Sequence, residues 1–380
     1  IRSRDGAGQL SLQSPAAAEH TAVAYVIVRA YTSIQDWEDD RQGNLVRENR
    51  VEVGVCYPDG PFAGDGEYAL ATIDGSITDA EHFMWLTVAE SRRHFGIAGT
   101  GVVLDGEDTS KYGIRIRDDY TRIEWLEIKR FRRRHGAAAV EVKDAENVLC
   151  AQLLIHDFDS EDYSVAGIKG SDDSLFTVRN CIIYDGDKAA IRLNDDDAAA
   201  RVENCTIFGM DSRGIYEDVG VVTVINTIAM DSGREDFDIE RGQQSYNLSS
   251  DDSAAGTGSI THGSALDQFM SLAEGGEDLH LKQGADAIEA GSNLSAVSAF
   301  DIDGQIRPNG PAWDMGADEF QLVDNTAPVA EDDEATTDED SFTLIAVLDN
   351  DSDPDGDALT VIGFTQAGNG TVEETATAEM

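Results

Sequence analysis

Apolar positions in this chain recur on two scales: they alternate with polar ones inside short runs, and the runs return every twenty-odd residues. The clearest copies are Val178-Arg179-Asn180-Cys181-Ile182-Ile183 and Val202-Glu203-Asn204-Cys205-Thr206-Ile207, both Val-x-Asn-Cys-x-Ile. Val224-Ile225-Asn226 keeps the first half, while Ile123-Glu124-Trp125-Leu126-Glu127-Ile128 and Cys150-Ala151-Gln152-Leu153-Leu154-Ile155 are degenerate earlier copies. The cysteine-equivalent positions fall at 126, 153, 181, 205 and 227, in steps of 27, 28, 24 and 22 residues. Such a period, built from short β-type runs, predicts a solenoid.

A second register supports the first. Ile114, Val140, Ile168, Ile191 and Ile215 each sit in a short aliphatic run, at spacings of 26, 28, 23 and 24 residues. Strand side chains alternate between faces, so if these aliphatics point inward the residues after them point outward. The outward rows then read Arg115, Glu141, Lys169, Arg192, Tyr216 and, two residues on, Arg117, Lys143, Ser171, Asn194, Asp218. The asparagines at 180, 204 and 226 fall at the bend between strands, where Asn tolerates a left-handed backbone and bonds to neighbouring chain, so their expected role is structural.

Before the regular coils, residues 1–20 are small and polar and predict a loose lead-in, and residues 22–28 read as a buried strand. A short helix is expected from about residue 33 to Gly43, with Ser33 as N-cap and Ile34 and Trp37 on one face; it would close the open end of the solenoid. Irregular first coils are expected at residues 51–55, 68–73, 83–88 and 101–104, separated by Asp-Gly pairs.

Composition narrows the partners. Acidic residues outnumber basic ones 74 to 28, for a net charge of −46, which argues against nucleic acid and anionic membranes and suits calcium-rich or saline surroundings. No apolar run is long enough to span a membrane. Four cysteines are too few for a disulfide framework; Cys181 and Cys205 occupy equivalent places, either as a ladder of buried thiols, the favoured reading, or as a disulfide. The chain starts at Ile1 without an initiating Met, and reads as an excerpt of a longer secreted protein.

The Asn-Cys coils resemble those of right-handed parallel β-helix proteins of the pectate-lyase-like superfamily, over roughly residues 21–323. The segment Asp301-Ile302-Asp303-Gly304-Gln305-Ile306-Arg307-Pro308, followed by Trp313-Asp314-Met315-Gly316-Ala317-Asp318-Glu319-Phe320, resembles the closing segment of secreted bacterial choice-of-anchor β-helix proteins. From residue 324 there are 16 acidic residues and no Lys or Arg, which marks a boundary. Residues 324–380 resemble part of a bacterial cadherin-like, immunoglobulin-type β-sandwich module. The expected fold is therefore all-β, a right-handed parallel β-helix with an N-terminal helical cap and the start of a C-terminal β-sandwich.

The resemblance implies chemistry to look for. Cadherin-like modules bind calcium, and Asp349, Asp351, Asp353, Asp355 and Asp357, with Glu339 and Asp340, are the candidate ligands; alternating carboxylates in a curled loop suit a hard cation, although the spacing is not that of an EF-hand. A residue run at 342–347 reads as the adjoining strand. Lyases of the superfamily use a Lys or Arg base on a uronate with calcium on the carboxylate. That makes Lys169 or Lys143 the candidate base, Arg192 or Arg115 the carboxylate clamp, and Arg117, Glu141, Asn194, Tyr216 and Asp218 the substrate- or cation-holding set. The competing reading is a row of solvated cross-strand ion pairs without chemistry. A galacturonase-type hydrolase is disfavoured because only Asp172-Asp173 survives of its pattern, and His156-Asp157 has no serine nucleophile in register. The expectation is an extracellular or cell-surface monomer that binds an acidic polysaccharide or cell-surface glycan, with calcium-assisted lysis as one form of it and a non-catalytic adhesin as the other.

Overall fold

The computed structural model describes residues 30–58, 62–63, 69–107, 112–131, 136, 138–159, 165–296, 299–321, 328–337, 341–352, 359, 361, 363 and 371–373, with the backbone alone of 3–5 and 9–11. The expected strand at 22–28 lies outside the described residues. By chain contacts the protein divides into two units, Ile1–Phe320 and Gln321–Met380.

The first unit is a parallel β-helix of three sheets, visited in rotation. The first sheet stacks Glu52–Cys56, Met84–Val88, Arg122–Glu124, Glu146–Ala151, Leu175–Arg179, Ala199–Glu203, Val221–Ile225 and Gln243–Ser245. The second stacks Phe62–Ala63, Val102–Asp105, Leu126–Lys129, Leu154–His156, Ile182–Tyr184, Thr206–Phe208, Ile228–Met230 and Leu248–Ser249. The third stacks Ala69–Ile73, Tyr112–Ile116, Ala138–Lys143, Ala166–Ser171, Ala189–Leu193, Arg213–Glu217 and Phe237–Asp238. The two registers read from the sequence belong to different sheets, and the runs expected to be irregular join the same ladders, Glu52–Cys56 pairing with Met84–Val88 residue for residue.

Inside, the stack is apolar. Ile114, Val140, Ile168, Ile191 and Ile215 are buried and in register. Leu126, Leu153, Cys181, Cys205 and Thr227 fill the corner row, and all four cysteines are free thiols, so Cys181 and Cys205 form a ladder and not a disulfide. Burial pushes the Cys205 thiol well up, as expected for a thiol that packs as a hydrophobe.

The bend between first and second sheets turns on one left-handed residue per coil: Trp125, Gln152, Asn180, Asn204, Asn226 and Tyr246, with φ between 46° and 65°. Asn suits that conformation. The bulkier occupants show that the repeat imposes the geometry even where side-chain chemistry does not favour it. Asn226 donates to Asn204 Oδ1 at 3.1 Å and to the Ser292 carbonyl at 2.7 Å, while Asn180 donates to the Phe300 carbonyl at 2.6 Å. The asparagine ladder therefore holds the C-terminal segment as well as the coils.

At the N-terminal end the helix Ile34–Arg41 forms as expected. Ser33 Oγ accepts from the Asp36 N–H at 3.0 Å. Ile34 and Trp37 turn onto the first strands, and Gly54 is required beneath Trp37, because a Cβ there would lie 2.8 Å from the indole.

At the other end the chain doubles back. After the helix Ala265–Gln268 and the hairpin Phe269–Ala273/Gly276–Leu281, the described residues of 285–320 lie along the outer face of the second sheet. Leu154, Ile182, Tyr184, Ile228, Met230 and Leu248 are sealed there beneath Ile302, Met315 and Ala317. Gly316, at φ +98°, donates to the Asn226 carbonyl at 2.8 Å, and a Cβ on it would meet Ile228 at 2.8 Å. Arg307 is fully buried and bonds the Gly316 carbonyl at 2.9 Å and Glu319 at 3.4 Å.

In the second unit the described residues carry one antiparallel bridge, Val329–Ser352. Residues 342–347 form no strand, and Phe342 and Leu344 stand exposed. An alternating run becomes a strand only when a neighbour takes its backbone N–H and C=O groups, and among the described residues none does.

Candidate functional site

The outward face of the third sheet is the face that the sequence singled out. Arg115, Glu141, Lys169, Arg192 and Tyr216 stand directly opposite one another on successive strands, between Thr72 and Asp238. Glu141 is the hub. It accepts from Arg115 Nε at 2.7 Å, Lys169 Nζ at 3.3 Å and Ser171 Oγ at 3.3 Å. Glu141 is 3% and Lys169 7% exposed, so the middle of the row is packed rather than solvated.

The second row closes around it. Ser171 reaches Asn194 Oδ1 at 3.2 Å, Lys143 pairs with Asp172, and Arg117 pairs with Asp144 at 3.1 Å. Asp218 receives Arg192 at 2.6 Å and the Tyr216 hydroxyl at 2.9 Å. Burial pushes the Asp218 carboxyl up, but Arg192 and Tyr216 outweigh it and hold it below the usual range. Arg192 and Arg213 both lie over the Tyr216 ring, at 5.3 and 4.1 Å from its centroid, and Arg213 pairs with Asp238. The ring thus lies against two guanidinium groups.

All nine residues named for catalysis or substrate binding therefore fall on this one face. Their relation differs from the one expected of a base: Lys169 and Lys143 are each ion-paired to a carboxylate. Of the expected calcium ligands, Asp349 and Asp351 are described, and Asp351 already accepts the Glu331 N–H at 2.8 Å. Asp353, Asp355, Asp357, Glu339 and Asp340 lie outside the described residues.

On the outer face of the second sheet, sequence reading weighed only His156-Asp157, and only as a hydrolytic pair. Glu127 is completely buried there and accepts from His156 at 3.2 Å and Lys129 at 3.3 Å. His156 also bonds Asp157 at 2.9 Å and stacks on Tyr184, ring centroids 5.0 Å apart. Burial opposes its protonation, yet Asp157 and Glu127 raise its pKa. The signals available were the adjacent His156-Asp157 and a glutamate in a row that continues through Leu154, Ile182, Thr206 and Ile228. Beside it, Asp157, Asp159, Asp185, Asp187 and Asp211 line a cleft of about 420 Å³ at the next corner of the coil.

Farther along the same side, His280 bonds Asp278 at 2.5 Å and Asp303 at 3.1 Å. Burial again opposes protonation, but Asp303, Asp318 and Asp278 carry the imidazole pKa up to about 10.

Comparison with known proteins agrees with the architecture. Residues 100–253 match the family model for the right handed beta helix region, and residues 325–379 match that of the bacterial Ig domain. The solenoid is thus of the right-handed parallel β-helix type, followed by an Ig-type module. Among solved structures the chain is similar to one described as the crystal structure of pectate lyase Pel9A, at 12% identity and a TM-score of 0.36, covering 71% of this chain and 86% of that one. No curated protein matches it. Among the described residues no helix is long and apolar enough to cross a membrane.

Proposed function

We propose that this is an extracellular protein that binds an acidic polysaccharide across the third sheet of its β-helix and does so without cleaving it. The observation that carries the reading is the in-register row of Arg115, Glu141, Lys169, Arg192 and Tyr216, which gathers basic side chains and an aromatic ring on one face of a chain whose net charge is −46. A sugar polymer lying across the coils would meet one side chain of this row at each strand, about 4.8 Å apart, three of the five being basic. Arginine offers paired N–H donors to a carboxylate, and an aromatic ring offers a flat face to a sugar.

Binding is favoured over lysis by the company the lysines keep. A general base must be free to take a proton. Lys169 is held by Glu141 and Lys143 by Asp172, so neither is poised for that task. Calcium is assigned to the second unit, on the alternating aspartates 349–357.

The test is affinity electrophoresis of the whole chain through gels carrying alginate or pectate, with and without calcium. Retardation that is lost in Arg192→Ala and Tyr216→Ala, with circular dichroism unchanged, is the expected result. Migration unaffected by any polymer, or retardation indifferent to both substitutions, sinks the reading. Ultraviolet absorbance from unsaturated uronate products, abolished by Lys169→Ala, would restore the lyase.

A further inference from the structure

We propose that His280, Asp303 and Asp318 form a site for one divalent transition-metal ion of the zinc type, with Asp278 orienting the imidazole. Each of the three offers one donor atom, and these atoms lie within 4.8 Å of one another; among the described residues no other group of three His, Cys, Asp or Glu donors converges in this way. The five aspartates of the neighbouring cleft do not.

Four features point to an ion. His280 Nδ1 is engaged by Asp278, which leaves Nε2 as the nitrogen turned toward Asp303. This is the carboxylate–histidine–metal arrangement, in which an outer carboxylate fixes the ring and raises the basicity of the ligating nitrogen. Charge balance points the same way. Three carboxylates gather around the His280 imidazole, and Arg307, the buried guanidinium that bears on Asp318, is paired to Glu319. Asp318 itself is buried, with the Leu281 N–H donating to its Oδ2 at 2.8 Å. A divalent cation in place of one proton reduces that excess of negative charge.

The third feature is room made by the chain. Gly96, at φ +71°, passes so close to His280 that a Cβ would lie 2.9 Å from Nε2. The fourth is the donor set. Mixed imidazole and carboxylate suits zinc, manganese or iron, whereas an all-oxygen shell suits calcium. Zinc bonds of about 2.0–2.2 Å would draw the donors to roughly tetrahedral spacing, and three protein ligands leave a fourth position for water.

The placement gives the ion a task. His280 belongs to the hairpin, Asp303 and Asp318 to the segment that covers the second sheet, and Gly96 to the early coils. One ion would tie the closing segment to the hairpin beneath it.

The whole chain, stripped with EDTA and dialysed, should take up one Zn2+ in a chelator-competition titration run in a large excess of calcium, which occupies oxygen-only sites. Zinc should raise the Tm, EDTA should reverse the rise, and Co2+ should give visible d–d bands. Asp303→Asn, the substitution at the more exposed carboxylate, should weaken zinc at least tenfold while the circular dichroism stays native; His280→Gln should do the same. Absence of stoichiometric zinc uptake in calcium overturns the proposal. So does uptake that Asp303→Asn and His280→Gln, both natively folded, leave unchanged, because the cluster is then an ion-pair network alone.

Discussion

The outer faces of the second and third sheets are built on the same strand ladder and filled in opposite ways. On the second sheet, Leu154, Ile182, Ile228 and Leu248 point away from the coil interior yet are buried, because residues 285–320 cover them. On the third, the equivalent row is Arg115, Glu141, Lys169, Arg192 and Tyr216, joined by ion pairs and aromatic contacts. Strand geometry fixes which residues point outward; what lies above them decides whether they are apolar or charged. An outward row in a solenoid therefore reports its neighbour, and an apolar one announces a covering segment.

The largest expected effect tests the cover. Arg307→Ala removes the guanidinium that faces buried Glu319 and bonds the Gly316 carbonyl, leaving a carboxylate uncompensated. We expect a loss of about 3–5 kcal/mol in urea unfolding. A loss under about 1 kcal/mol would mean that the segment 285–320 contributes little to holding the second sheet.

Next comes Ile228→Ala, which empties the site pressed by Gly316, with an expected cost of about 2–4 kcal/mol. Its counterpart on the third sheet is Glu141→Gln, which leaves Arg115 and Lys169 without their common partner. The glutamine amide oxygen can still accept a hydrogen bond from one of the two cations, so about 1–3 kcal/mol is expected. If the Glu141 change costs more than the Ile228 change, the charged face is the firmer of the two and the comparison reverses.

Proton linkage separates the faces further. His156, on the second sheet, has its pKa raised in the folded protein by Asp157 and Glu127 against burial, with Lys129 and the stacked Tyr184 beside it. Its stabilising contribution is fully present below the ordinary histidine pKa of about 6.5 and is lost as pH rises through the higher folded value. A His156→Gln protein should therefore match wild type best at alkaline pH and fall behind it on acidification, by on the order of 1–2 kcal/mol. Tm profiles of the two proteins that ran parallel across this range would remove His156 as a linked group.

How much of this was legible follows from range. The Val-x-Asn-Cys-x-Ile repeat carried the coil length, the cysteine ladder and the left-handed bend at Asn180, Asn204 and Asn226, because each depends on residues a few positions apart. The charged row of the third sheet was legible for the same reason. What the pattern concealed was the third strand of each coil. Ile182 and Ile183 look alike in sequence, but one lies under residues 285–320 and the other lines the core. Trp125, Gln152 and Tyr246 adopt the same left-handed bend as the asparagines without sharing their chemistry. Buried Glu127, paired with His156 some 29 positions away, and the trio His280, Asp303 and Asp318 needed the closed fold to come together. Residues 342–347 show the converse, an alternating run that no described neighbour turns into a strand.

The smallest effect belongs to the rim of the charged face. Lys143 and Asp172 form an ion pair whose side chains are 26% and 45% exposed, and Lys143 holds the Asp172 carboxyl below its usual range. Exposed pairs lose most of their attraction to solvent and salt. Lys143→Ala should therefore change stability by less than about 1 kcal/mol, and the difference should shrink as salt is added. A salt-insensitive loss as large as that of Glu141→Gln would show that the rim and the buried hub act as one network. The third sheet would then be as tightly closed on itself as the second is under its cover, and less open to a polymer.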